Sequence, residues 1–233
     1  MDAFRAWLGQ LQFDGVWQTV VLVAASLLCI TFHETCHGWV AYKLGDPTAK
    51  RMGRLTLNPL KHVDVAGLLM MALFRFGWAK PVPVNMRNFK NPKQGMALTA
   101  LAGPVANLLL AFVILIPYEI IMACDAHGAF MNSSEFTINL IYACLTFIFT
   151  FHYMNISLAV FNFFPVPPLD GSRVLYAILP EKYYFGVMKY ERYISLGIML
   201  LLVTGLLDKP LTFLTGAISG GMRWLLELLP FFG

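Results

Sequence analysis

The chain has 233 residues, of which 58% are hydrophobic and 13% charged, with a formal net charge of +4. A soluble domain carries about 25% charged residues, so this composition excludes a soluble two-domain enzyme and points to a membrane protein. The modest positive charge gathers in particular loops. With no basic aromatic groove and no Gly-rich phosphate loop, it speaks for membrane orientation and against nucleic-acid binding.

Residues Met1 to Gly15 hold acidic groups and a single arginine, and no small-residue cleavage site follows the first apolar run, so no secretory leader is expected. The first predicted span runs from about Val16 to Tyr42, long enough at 1.5 Å per residue to cross a core of ~30 Å. Near its far end stands His33-Glu34-Thr35-Cys36-His37. Residues four apart share a helix face, so His33 and His37 can aim a ring nitrogen at one metal. Glu34 is turned about 100° round the helix, where it reaches a metal-bound water as general base and does not compete as a ligand. Ionisable groups inside a bilayer are costly and are kept for function, which strengthens the reading of this HExxH as chemistry inside a membrane.

A polar stretch follows from Lys43 to Asp64, in which Arg54-Leu-Thr-Leu-Asn58 alternates with period two and predicts a short strand. Val65 to Trp78 is apolar but too short to cross, and we expect a re-entrant piece packed beside the site. Its continuation, Lys80-Pro-Val-Pro-Val-Asn85, is held extended by prolines. Gly95 to Met122 is a strong span whose Ala102-Gly-Pro-Val-Ala-Asn107 offers small residues for close packing, a proline kink and one polar group, Asn107, read as an interhelical hydrogen bond. Thr137 to Phe164 is the next span, carrying His152, Asn155 and Asn162. A short amphipathic piece from Ser172 to Leu179 precedes two last apolar stretches, Ile194 to Leu207 and Leu211 to Leu229, joined by a reversal at Asp208-Lys209-Pro210. The fold expected is an all-α polytopic membrane protein of about five to six transmembrane helices, with a short re-entrant or β-like segment near the active site. It forms one domain over 1–233, with a core at 16–180 and accessory C-terminal helices at 181–233. Cys29, Cys36, Cys124 and Cys144 lie in or beside apolar runs without CxxC spacing and read as packing residues.

Cytoplasmic loops collect Lys and Arg. Residues 43–93 and 165–193 are rich in them, whereas Cys124 to Glu135 contains none, so His33 and His37 are expected in the cytoplasmic half of the first span. Zinc catalysis needs a third protein ligand and an open position. Glu119, Glu135 and Asp208 fall on the wrong side, and His62 and Asp64 sit in a basic loop. Asp170 stands out, because Asn162-Phe-Phe-Pro165-Val-Pro-Pro-Leu169-Asp170-Gly171 follows a cytoplasmic span end and so reaches the same face as the HExxH. Two neutral histidines and one carboxylate leave zinc with net positive charge, which favours ionising its water. His62 and His152 read as hydrogen-bonding histidines.

An HExxH in a membrane helix, paired far downstream with Asn162-x-x-Pro165-x-x-x-Leu169-Asp170-Gly171, resembles the site-2 protease family of intramembrane zinc metalloproteases. Arg54-Leu-Thr-Leu-Asn58-Pro59 through Asp64, Lys80 to Asn85 and Ala102-Gly-Pro104 resemble its compact prokaryotic branch without a PDZ domain; Met86 departs from the proline expected there. The resemblance implies one zinc ion per chain on His33, His37 and Asp170, with Glu34 as base and Asn162 in contact with substrate. It also implies regulated intramembrane proteolysis of single-span membrane proteins by a multi-pass protein of the prokaryotic cell membrane. A substrate helix must unwind to be cut, and strand-like edges at 54–58 or 82–85 are candidates to hold it by β-addition. The competing reading is a membrane zinc-binding protein or zinc transporter without protease activity, which would line a polar path to both faces.

Overall fold

The computed structural model describes residues 15–74, 79–180, 186 and 189–228. Helix α1 spans Val16–Lys43, α2 Thr48–Arg51, α3 Val65–Phe74, α4 Pro92–Ala126, α5 Glu135–Phe163, α6 Asp170–Ile178, α7 Glu191–Val203 and α8 Asp208–Glu227. Three of the described helices, Trp17–Lys43, Pro92–Ala126 and Glu135–Phe163, are long and apolar enough to cross a membrane. These three expected spans therefore appear within a few residues of their predicted ends, and two of them begin at a side-chain cap. Asn91 caps α4 by accepting from the Gln94 N–H ahead of Pro92, and Ser134 caps α5 by accepting from Thr137.

Helix α4 is the hub, packing against α1, α5 and α6, and α1 also packs on α5. At one end of the α4–α5 seam, Leu115, Tyr118 and Leu145 bury against Leu226 of α8. Further along, Ala111 meets Ile156 and Val160, where a small residue lets the backbones close up. Leu109 and Val113 of α4, Leu140 of α5 and Leu200 of α7 point outward, an arrangement suited to lipid and wrong for water. Helix α8 docks through polar groups as well: Arg223 Nε donates to Glu119 on α4 at 2.6 Å, and Ser157 and Thr215 hydroxyls meet at 3.3 Å. Such pairings satisfy ionic and polar groups in partly buried positions between apolar helices.

Two local expectations are corrected. Residues 54–58 form bends and no strand, because their backbone groups are used by side chains: the Thr56 carbonyl accepts from Thr35 Oγ1 at 2.7 Å and from His62 Nε2 at 2.8 Å. Among the described residues the one β-pairing is an isolated bridge, Val63 with Ala79. The expected reversal at Asp208-Lys209-Pro210 is instead the first turn of α8, where a proline lacks no needed N–H and an aspartate suits the helix dipole. The chain turns one step earlier, through Thr204 to Leu207, with Gly205 at a φ of 70° that favours glycine. Helix α3 has 10 residues, about 15 Å, and is half a crossing at most; the rest of the predicted 65–78 segment, 75–78, lies outside the described residues.

The segment 79–88 runs extended and then turns over Met86–Asn88, capped by the Asn85 side chain. It is tied to the α1–α2 corner by Asp46, which is fully buried and accepts from Asn85 N–H at 2.7 Å and Asn88 Nδ2 at 2.6 Å. Arg54 Nη2 donates to the Lys80 carbonyl at 2.6 Å. These two anchors lay the segment across the C-terminal end of α1, beside Glu34.

Candidate metal centre and active site

Helix α1 presents His33 and His37 on one face, both buried, with ring centroids 4.5 Å apart and planes at 89°. Asp170 arrives from the other end of the sequence as the first residue of α6, after the proline-rich turn that closes α5. Gly171 is forced by that turn: a Cβ there would collide with the Phe163 and Phe164 carbonyls. The three ligand atoms converge, with His33 Nε2 3.0 Å and His37 Nε2 3.2 Å from Asp170 Oδ2, and the two Nε2 atoms 3.0 Å from each other. A tetrahedral zinc with bonds of 2.0–2.1 Å holds its ligands about 3.3 Å apart, so this triangle has the size of a zinc face.

The chemistry of the donors agrees. His37 Nδ1 donates to the Thr99 carbonyl at 2.6 Å, which leaves its Nε2 with a lone pair. His33 Nδ1 meets Asn107 Oδ1 at 3.1 Å, which does the same for its ring. Two lone pairs and a carboxylate aimed at one point repel each other unless a cation sits among them. His33, His37 and Asp170 are the group of potential metal ligands found among the described residues.

Glycine at 103 makes this approach of α4 to α1 possible, since a Cβ there would stand 2.5 Å from His37 Nε2 and 2.6 Å from His33 Cε1. The sequence offers Ala102-Gly-Pro-Val-Ala-Asn107 as small packing residues, a proline kink and an interhelical hydrogen bond from Asn107; the spacing of four between Gly103 and Asn107 is the sign that both face the histidines. Helix α4 runs unbroken through Pro104 and Pro117. Glu34 is turned away from the ligand triangle, as its helix position dictates, and its Oε2 accepts from the Val82 N–H at 2.7 Å. No sequence signal marked Val82, because the contact is made by backbone.

Beside these groups lies a cavity of about 440 Å³. His33, Glu34 and Asp170 form its polar end, and it continues between α1 and α5 towards Leu22, Leu202 and Leu211. Asn162 lines it, with Nδ2 donating to the Leu158 carbonyl at 3.0 Å. The remaining histidines stand apart from the cluster. His62 is buried and donates from Nε2 to Thr56, and His152 donates from Nδ1 to the Ala111 carbonyl at 2.9 Å while Nε2 meets Ser219 Oγ at 2.9 Å. The four cysteines are unpaired, Cys29 being buried with its thiol 3.7 Å from the Phe151 carbonyl.

Three side chains able to hold a metal ion, set among helices able to cross a bilayer, fit a membrane zinc metalloprotease, and comparison with known proteins gives that class. The model of peptidase family M50 matches residues 21–205. The chain is 40% identical over 185 residues to "Putative zinc metalloprotease YwhC" of Bacillus subtilis, covering 79% of this chain and 81% of that one. It is 26% identical over 227 residues to "Putative zinc metalloprotease Rip2" of Mycolicibacterium smegmatis, 95% of this chain and 75% of that one. A "Zinc metalloprotease MJ0392" of Methanocaldococcus jannaschii is 27% identical over 163 residues, 70% of this chain and 35% of the other. No solved structure matches. The chain belongs to peptidase family M50, the site-2 protease family.

Proposed function

We propose that the chain is a zinc metalloendopeptidase that hydrolyses peptide bonds within or next to the transmembrane segments of single-span membrane proteins, as a step of regulated intramembrane proteolysis. The observation that carries this reading is the convergence of His33, His37 and Asp170 within 3.2 Å at the end of a cavity that Glu34 also lines. One zinc ion on those three residues would supply Lewis acidity to water and to the scissile carbonyl.

The chain's own groups supply the rest. Glu34 takes a proton from the attacking water and returns it to the leaving amine. The Val82 N–H, 2.7 Å from Oε2, holds that carboxylate in position without neutralising it. Asn162, on the cavity wall, contacts the unwound substrate backbone. The apolar walls formed by α1 and α5 admit a hydrophobic segment and keep bulk water from the proton transfers. Binding by β-addition is restricted to the 79–85 segment, and there few donors remain: Lys80, Val82 and Asn85 N–H groups are already engaged, and Pro81 and Pro83 have none. Helices α3, α7 and α8 complete a membrane body of five to six crossings or partial crossings, with α3 re-entrant and the metal centre towards the cytoplasm of a prokaryotic cell.

Co-expression with a panel of single-span membrane proteins, with the cut bonds mapped by mass spectrometry, tests this function. Cuts inside or at the edge of the substrate's apolar segment are expected. Cleavage confined to water-exposed loops would contradict it.

A further inference from the structure

Beyond the ligands and the base, a line of buried amides leads from the metal centre into α5. His33 Nδ1 lies 3.1 Å from Asn107 Oδ1, Asn107 Nδ2 donates to Asn155 Oδ1 at 2.9 Å, and Asn155 Nδ2 donates to the Phe151 carbonyl at 2.8 Å. Asn107 and Asn155 are both wholly buried, at 0% exposure. Three successive contacts of good length join α1, α4 and α5 through side chains that no water reaches.

The direction of every bond in this line follows from its far end. A backbone carbonyl only accepts, so Asn155 must turn its NH₂ towards Phe151 and its oxygen towards Asn107. Asn107 must then offer its NH₂ to Asn155 and its oxygen to His33. An oxygen there requires a proton on His33 Nδ1, which leaves the lone pair on Nε2, the nitrogen that faces Asp170 and His37. His37 reaches the same state directly, through the Thr99 carbonyl.

We infer that Asn107 and Asn155 are positioning residues that set His33 to bind the metal through Nε2, with Phe151 O of α5 fixing the polarity of the pair. The inference rests on the zinc-centre reading. Its particular content is that Asn155, which touches no ligand, governs one through Asn107. If Asn155 is lost, Asn107 is free to rotate by 180° and to present its NH₂ to Nδ1, which selects the tautomer that cannot ligate through Nε2. Partners that orient a ligating histidine are worth about 10–100-fold in metal affinity.

The test measures zinc affinity by chelator competition in detergent micelles for the full chain and for Asn107→Leu, Asn155→Leu and Asn155→Ser. Ring-nitrogen NMR of the zinc-loaded samples is recorded alongside. The expected result is a loss of about 10–100-fold in affinity for each variant. The slowly exchanging Nδ1 proton of His33 should be lost or shifted while that of His37, held by a backbone carbonyl, stays where it is. His37 thereby reports that the fold is intact, and Asn155→Ser, which keeps a small polar group, guards against collapse of the Leu variants. Unchanged affinity and an unchanged His33 signal in folded Asn155→Ser would overturn the inference while leaving the metal centre standing. Failure of the unsubstituted chain to bind zinc would remove the centre, and the inference with it.

Discussion

A single methyl group at position 103 should disable the metal centre. Its carbon would sit 2.5 Å from His37 Nε2, inside any van der Waals contact, and the helix backbone carrying it cannot retreat without opening the α1–α4 seam. Overpacking of this kind costs about 1–3 kcal/mol, so Gly103→Ala should still fold but retain much less zinc, as read by metal analysis of the purified protein. His33, His37 and Glu34 were legible in the sequence because helical spacing alone decides which of them share a face. Asp170 stood out because loop charges assign its end of the span to the same face as the HExxH, and the structure brings its carboxylate to both histidines. Gly103, Asn155 and the Val82 amide were not legible, since their roles depend on how closely two helices cross and on which way an amide points. Asn107 was read as an interhelical hydrogen-bonding residue, which its bond to Asn155 bears out, and its partner on the other side is His33 of the candidate metal cluster.

At the scale of elements, the extended segment 79–88 matters because it delivers the Val82 N–H to Glu34, and Asp46 is its main anchor. Burial pushes the Asp46 carboxyl up, but hydrogen bonds from Thr48, Asn85 and Asn88 outweigh this and hold it below its ordinary value. Because the folded-state value is depressed, this stabilisation is complete above the ordinary aspartate range, ~3.9, and is lost as pH falls through the folded value. Hydrogen exchange at Val82 and Asn85 should therefore be flat from neutral pH down to about pH 4, once corrected for intrinsic rates, and rise only below it. Asp46→Asn places an NH₂ against donors and should free the segment at neutral pH. Hydrogen bonds to a charged group are worth about 1.5–3 kcal/mol, so exchange at those two amides should rise at least tenfold while the α4–α5 core is unaffected. In that core, Leu145→Ala empties a fully buried position and should cost roughly 2–5 kcal/mol in a denaturant titration of the micellar protein.

Element by element, the long spans were read from apolar length, which is a local property. The strand at 54–58 was misread because alternation says which residues face alike and nothing about what takes the backbone groups; here Thr35 and His62 do. The reversal before α8 was misplaced because Pro210 ends one helix as readily as it begins the next, and only Gly205 marks the true turn.

For the whole molecule, exposed leucines and valines stud the outward faces of α4, α5 and α7, and mid-helix Glu119 of α4 is paired with Arg223 of α8, which is the partition a bilayer imposes. Lysine and arginine bias predicts that the 124–135 connection lies outside the cytoplasm. A reporter fused after Met131 should be active only in the form that reports a non-cytoplasmic site; a cytoplasmic result would reverse the orientation of the metal centre. The site itself unites residues more than a hundred positions apart, and it does so by helix packing alone, without a supporting sheet among the described residues.

Glu34→Gln tests the central claim most directly, because glutamine can still accept from the Val82 N–H but cannot carry a proton between water and amine. Purified enzyme and variant are compared for zinc content and for cleavage of one transmembrane substrate. One zinc per chain in both, with cleavage lower by about 10²–10⁴-fold in the variant, is the predicted result. Equal cleavage by the two proteins would contradict it.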